Sequence, residues 1–286
     1  MTYPPYGDLP SPYTDPETAT YVLLPVPYDA TSTWMKGADR GPRALLEASA
    51  HMELYDIETD SEAFRKGIHT APALEVRNLP PEKMVLQVKN AVAEWLARNK
   101  TVVTVGGEHS VAIGAFYAHQ ERWPGLSVLQ LDAHADLRDQ YEGSPFNHAC
   151  VMARIMEKAP ATQVGIRSMD ISERAKMDPQ RTFWACDIHP GKNWIEQVVG
   201  SLGPLVYITL DLDVLDPGIF PSTGTPEPGG LDWYTLLSLL KKVIAEKEVV
   251  GFDITELAPN PSNKAPDFLA AKLIYKILSY HNAYRK

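Results

Sequence analysis

The sequence predicts a three-layer α/β/α fold with a mostly parallel central sheet. Three observations carry that expectation. Short apolar, β-branched runs alternate with amphipathic stretches along the chain, as βαβ units require. The runs are continuously apolar rather than alternating, as in strands covered by helices on both faces. And the acidic and imidazole-bearing clusters fall directly after those runs, where open parallel sheets bind ligands.

The first twenty residues stand outside this rhythm. Pro4, Pro5, Pro10, Pro12 and Pro16 are interleaved with Tyr3, Tyr6 and Tyr13, a pattern of an irregular arm rather than of a strand or helix. Residues 21–286 read as a single domain, without a linker or an internal repeat. Tyr21–Val26 is a strand. Gly41-Pro42 then opens a helix over Arg43–Tyr55, with proline at a permitted early position. Pro80-Pro81 opens a second helix, Glu82–Asn99, with Val85, Val88, Val92, Trp95 and Leu96 on one face. Thr101–Val105 is a strand broken by Gly106-Gly107, and Ser110–Gln120 is helical. Ser127–Leu131, Thr162–Ile166, Leu205–Leu210 and Val249–Ile254 are further strands. Helices are expected over Asn147–Lys158, Gly191–Ser201, Leu231–Lys247 and Ala265–Tyr280.

Composition narrows the functional classes. A net charge of -9 over 286 residues argues against a nucleic-acid partner, which calls for a basic stripe, and suits a cationic small ligand. The start of the chain has no basic segment followed by an apolar core. No apolar run approaches the ~18 residues of a membrane span. A cytoplasmic location and no membrane partner are expected. The two cysteines, Cys150 and Cys186, form no CxxC pair, and Cys150 reads as a buried structural thiol.

The chemistry concentrates in two runs, Asp132-Ala133-His134-Ala135-Asp136 and Asp211-Leu212-Asp213. Residues two apart in an extended chain point to the same side, so each run can aim its acids and imidazole at one point. His109, in Gly106-Gly107-Glu108-His109-Ser110, arrives from a third strand end, where glycines permit close backbone approach. Six candidate ligands result: His109, Asp132, His134, Asp136, Asp211 and Asp213. They exceed the three or four of an open single-zinc site, and four aspartates match the charge of two divalent ions. Carboxylates with two imidazoles and no thiolate favour Mn²⁺ over Zn²⁺. Such a pair makes a hydroxide available at neutral pH, which suits hydrolysis. No P-loop or basic cluster is present to clamp a phosphate, so the surplus of acids points to a cationic electrophile.

The ordered motifs GGEHS (106–110), DAHADLR (132–138), Asn147-His148, DLDVLDP (211–217), STGTPEPGGL (222–231) and DITELAP (253–259) resemble the ureohydrolases, arginase and agmatinase among them, with agmatinase nearest. Gly37-Ala38-Asp39-Arg40-Gly41-Pro42 extends the match toward the start. The resemblance implies the arginase-like fold, two Mn²⁺ per chain and a homo-oligomer, trimer or hexamer. It implies that His109 and Asp136 hold one ion, that His134 and Asp213 hold the other, and that Asp132 and Asp211 bridge. Glu256 would grip the guanidinium through two parallel N–H bonds, and His148 would carry protons. A metal-bridging hydroxide would attack the guanidinium carbon, with Asp136 passing its proton to the departing amine. Agmatine, yielding putrescine and urea, is the expected substrate, as in polyamine biosynthesis. Aminopropylagmatine, guanidinobutyrate and arginine remain open. The position two beyond Asp136 holds Arg138, where arginases carry asparagine, and three roles are open for it: repelling a cationic tail, pairing with a carboxylated one, or a salt bridge with Asp139, Glu142 or Glu173. A single-zinc deacetylase-like amidohydrolase and a non-catalytic binding protein on the same fold are the rival classes.

Overall fold

A computed structural model describes residues 3–189 and 192–284. The expected start of one helix at Gly191 and the terminal residues 285–286 lie outside the described residues, as do residues 1 and 2 of the arm. Eight strands form one sheet: β1 (Tyr21–Val26), β2 (Ile68–Thr70), β3 (Thr101–Gly106), β4 (Ser127–Leu131), β5 (Ala161–Ile166), β6 (Thr182–Trp184), β7 (Leu205–Asp211) and β8 (Glu248–Thr255). Their order is β2-β1-β3-β8-β7-β4-β5-β6. Every pair is parallel.

The helices are α1 (Gly41–Ser49), α2 (Pro81–Ala97), α3 (Val111–Arg122), α4 (Val151–Met156), α5 (Ala185–Ile188), α6 (Trp194–Ser201), α7 (Trp233–Glu246) and α8 (Ala265–Tyr284). They divide between the faces. Tyr21 and Leu23 of β1 join Leu45 of α1, Leu240 of α7 and Leu273 of α8 in one core, while Val22 and Leu24 join Val88 of α2 and Phe116 of α3 in the other. The period-2 alternation of strand side chains thus feeds two cores, which is why these strands read as unbroken apolar runs. Among the described residues no helix is long and apolar enough to cross a membrane.

The sequence reading differs from the structure at several elements: the four-residue α5 was not expected, and the helix expected over Asn147–Lys158 is α4, Val151–Met156, preceded by a 3₁₀ turn over His148–Cys150. Strands β2 and β6 were not expected. Each spans three residues at an outer edge of the sheet, too short for a periodic pattern to register. Helix α1 stops at Ser49 rather than at Tyr55. There the Ser49 hydroxyl donates to Leu46 O and accepts from Gly7 N, a side-chain bond that competes with helix continuation. The arm explains the stop. Its Tyr6 is fully buried, donates its hydroxyl to Ala271 O of α8 and donates its backbone N–H to Thr70 Oγ1 of β2. The arm therefore packs on α1 and α8, with a short 3₁₀ turn over Tyr6–Asp8.

Register positions the site. Val105 of β3, Ile254 of β8, Leu210 of β7 and Leu131 of β4 lie in one row across four adjacent strands. At ~4.8 Å per strand the row spans about 15 Å. The residues that follow it on each strand emerge together at the carboxyl edge.

Candidate metal and substrate site

His109 follows β3, Asp132, His134 and Asp136 follow β4, Asp211 ends β7 with Asp213 just beyond, and Glu256 follows β8. All six expected ligands except His134 are buried, and His134 is partly buried. His109 Nδ1 lies 3.0 Å from Asp136 Oδ2, 3.2 Å from Asp132 Oδ2 and 3.5 Å from Asp211 Oδ2. His134 Nδ1 lies 2.9 Å from Asp213 Oδ2 and 3.7 Å from Asp132 Oδ1. Two groups suited to a cation result, His109-Asp132-Asp211 and Asp132-His134-Asp213, and Asp132 belongs to both. A small divalent ion held at about 2.1 Å places its ligand atoms about 3.0–3.5 Å apart, which matches these separations. The residues therefore fit a pair of cations.

Hydrogen bonding prepares the donors. The Thr209 hydroxyl donates to Asp253 Oδ1 (2.9 Å), and Tyr207 donates to Asp253 Oδ2 (2.6 Å). Thr209 Oγ1 must then accept from His109 Nε2–H at 2.8 Å. That tautomer leaves the Nδ1 lone pair facing the acids, the arrangement typical of metal-binding histidines. Asp132 is held from the other side: Gln130 Nε2 donates to its Oδ2 (2.8 Å), and Gln163 Nε2 donates to Gln130 Oε1 (2.6 Å). Arg167 donates to the carbonyls of Asp213 (2.6 Å) and Glu227 (2.9 Å), pinning the loop after β7.

Crowded acids shift accordingly. Burial pushes Asp136 up to about 7, with the Asp132 charge adding to it. Burial and then the charges of Asp213 and Asp132 hold Asp211 well above the carboxylate range. For Asp132, burial alone would act upward, but the neighbouring His109 and His134 rings outweigh it and keep it low. Asp136 and Glu256 are also non-glycine residues with positive φ, 52° and 66°, a conformation costing on the order of 1 kcal/mol or more each.

Glu256 opens on the same cleft, of about 270 Å³, together with His109, Asp136, His148, Arg138, Tyr141 and Asp170. Its Oε1 accepts from His109 N at 2.8 Å, and its own N–H donates to Gly107 O at 2.8 Å. Gly224 has no side chain where a Cβ would come 3.3 Å from Glu256 Oε2. Burial, then the Glu108 charge, raise the Glu256 pKa well above its ordinary value. A buried acid of this kind is relieved by a bound cation. His148 is lowered to about 4, by burial first and then by the His134 charge, so its ring is neutral at pH 7.

Among the described residues the ion pair of Arg138 is with Asp170 rather than with Asp139, Glu142 or Glu173. Its guanidinium lies 4.6 Å from the Tyr141 ring centroid and 3.8 Å from Asp170 Oδ2, at the cleft wall. Glu173 instead accepts from Leu137 N and Asp170 N, which occupies both of its oxygens. Cys150 is buried and raised to about 11, chiefly by burial. Residues not singled out in the sequence are Gln130, Gln163, Arg167, Thr209 and Asp253. Two of them carried a readable signal: Gln130 and Gln163 are amides inside otherwise apolar strands.

A family model described as the arginase family matches residues 19–279. The chain belongs to the arginase family. An N(1)-aminopropylagmatine ureohydrolase of Thermus thermophilus is 40% identical over 274 residues, 94% of this chain and 92% of that protein. An agmatinase of Pyrococcus horikoshii is 31% identical, covering 95% of each. Among solved structures, an agmatine ureohydrolase of Thermoplasma volcanium superposes with a TM-score of 0.85 at 28% identity, over 96% of this chain and 94% of that one. The arginase-family sheet of this chain, parallel throughout with helices on both sides, is thus shared along nearly its whole length.

Metal uptake by this arginase-family site must displace protons. Below about pH 7 Asp136 holds a proton, and cations bind the deprotonated ligands. Divalent-cation affinity is therefore expected to be lower at pH 6 than at pH 8, by about tenfold in all from Asp136 alone, which titrates across that range. Calorimetric metal titrations at the two pH values check this. Equal affinities would show that these acids are already ionised.

Proposed function

We propose that this chain is a ureohydrolase that cleaves the guanidino group of a small, amine-tailed cation and releases urea. The observation that carries the proposal is Glu256, a buried carboxylate with no ion-pair partner among the described residues, opening on the same cleft as two cation-binding groups. Its carboxylate accepts two parallel N–H bonds from a planar guanidinium and turns the guanidinium carbon toward the acid cluster.

His109 and Asp136 would hold one ion and His134 and Asp213 the other, with Asp132 and Asp211 serving both. The donor set of four carboxylates and two imidazoles favours Mn²⁺. When bound, the ions supply an ionised water at neutral pH and charge stabilisation for the reaction. Asp136, ionised as a ligand, would take up the proton left on the attacking oxygen and pass it to the departing amine. His148, neutral and on the cleft wall, exchanges protons with solvent. Residues 21–286 act as one catalytic domain, with the arm of residues 1–20 as its strap. A cytoplasmic homo-oligomer, trimer or hexamer, is the proposed assembly.

Agmatine and its aminopropyl derivative are the proposed substrates. The higher identity to aminopropylagmatine ureohydrolases, 39–40%, against 31% for an agmatinase, favours the longer tail. A urea-release panel with Mn²⁺ tests this, using agmatine, aminopropylagmatine, arginine, guanidinobutyrate and guanidine. Turnover is expected for the first two, with the aminopropyl compound ahead. Arginine in first place would overturn the substrate assignment, and no urea from any would overturn the activity.

A further inference from the structure

Thr31 lies in the loop after β1, far in sequence from His148, yet the two are joined. The His148 backbone N–H donates to Thr31 Oγ1 (3.0 Å), and the Thr31 hydroxyl donates to Glu108 Oε1 (2.8 Å). His148 Nδ1 is 3.3 Å from the same oxygen. Thr31 and Glu108 are buried. Glu108 also accepts from Ser110 N and from the Ser110 hydroxyl, so it is fixed by the turn that carries His109. The loop is closed on itself, because Asp29 Oδ2 accepts from Gly37 N (2.6 Å) and Ala38 N (3.2 Å).

We infer that Thr31, anchored by Glu108, is a positioning residue that sets both the seat and the tautomer of His148. The inference rests on the proton-carrying role proposed for His148. A threonine hydroxyl has one hydrogen. Spent on Glu108, it leaves Thr31 Oγ1 only as an acceptor. His148 Nδ1 must then be the protonated ring nitrogen, and Nε2 keeps its lone pair. Nε2 has no protein hydrogen-bond partner among the described residues, and the ring lines the cleft. Glu108 thereby orients a base it does not touch, much as the carboxylate orients the imidazole in hydrolytic triads.

The full chain, saturated with diamagnetic Mg²⁺ and labelled with ¹⁵N-histidine, reads the tautomer directly by NMR. The His148 signals are identified by their loss in His148→Asn. Nδ1 is expected to carry the proton in the wild type at pH 8, and Thr31→Val is expected to shift the ring toward Nε2–H. With Mn²⁺, Thr31→Val should lower kcat about 10- to 100-fold, the range for outer partners of a functional group. KM should stay within about twofold and metal content should be unchanged. Thr31→Ser, which keeps the hydroxyl, should restore kcat to within about threefold. A wild-type ring protonated on Nε2 overturns the inference, even if Thr31→Val does not fold. Wild-type kcat in Thr31→Val overturns it as well. If the wild type hydrolyses no guanidino compound, the proposed activity falls, and the tautomer still stands or falls by the spectrum.

Discussion

Asp132→Ala is expected to lose both divalent cations and urea release in a single step. Asp132 is the one residue common to the two cation-binding groups, with one oxygen 3.2 Å from His109 Nδ1 and the other 3.7 Å from His134 Nδ1. Its removal also strands Gln130 Nε2 and His134 N, which donate to it at 2.8 and 2.6 Å. Metal affinity should drop by more than the 10- to 100-fold carried by outer-sphere partners, and activity should fall to background. Native mass spectrometry gives the metal count on the same sample assayed for urea. A folded variant that keeps two tightly bound ions and normal turnover would end the assignment of Asp132 as the shared ligand.

Glu256→Gln should separate binding of the guanidinium from binding of the metals. Glutamine keeps the volume and keeps an oxygen for the His109 N–H, but it replaces one acceptor by a donor aimed at the substrate's own N–H groups. The lost charge pairing in a buried site is worth about 3 to 5 kcal/mol, or roughly two to four decades in kcat/KM. The metal content should be unchanged. Stability should move the other way. Burial raises the Glu256 pKa in the folded chain, so the folded state keeps a proton that the unfolded state has lost. Wild-type stability is therefore eroded as pH rises above the unfolded value of about 4.3. Glu256→Gln escapes that erosion, and its advantage in thermal unfolding should open between pH 4 and 8 and vanish in acid. Wild-type kcat/KM in this variant would remove Glu256 from the substrate site.

Much of this architecture was legible because both faces of the sheet are covered. Strands such as Leu205–Asp211 must be apolar on both sides, so an acid at their end stands out. The two-residue spacing of Asp132, His134 and Asp136 and of Asp211 and Asp213 survives folding as convergence on two points. Edge strands of three residues carry no such signal. Neither did the supports of the ligands. Thr209 and Thr31 are ordinary threonines in sequence, and their meaning comes from partners 100 and 117 residues away. For Arg138 the sequence reading weighed Asp139, Glu142 and Glu173 as ion-pair partners, whereas its wall is built by Tyr141 and by Asp170 beyond β5.

The row formed by Val105, Ile254, Leu210 and Leu131 divides labour across the sheet. The acids and imidazoles leave from its four inner strands, where any shift of register would move every one of them. The cleft wall near Asp170 and the loop holding Thr31 leave from β5 and β1, each one strand in from an edge. The cation-binding groups and the loops that wall them in are thus anchored in different parts of one scaffold. The wall near Asp170 can lengthen, shorten or change charge while the centre stays intact, so this fold can acquire a taste for new guanidines without having to reinvent the reaction.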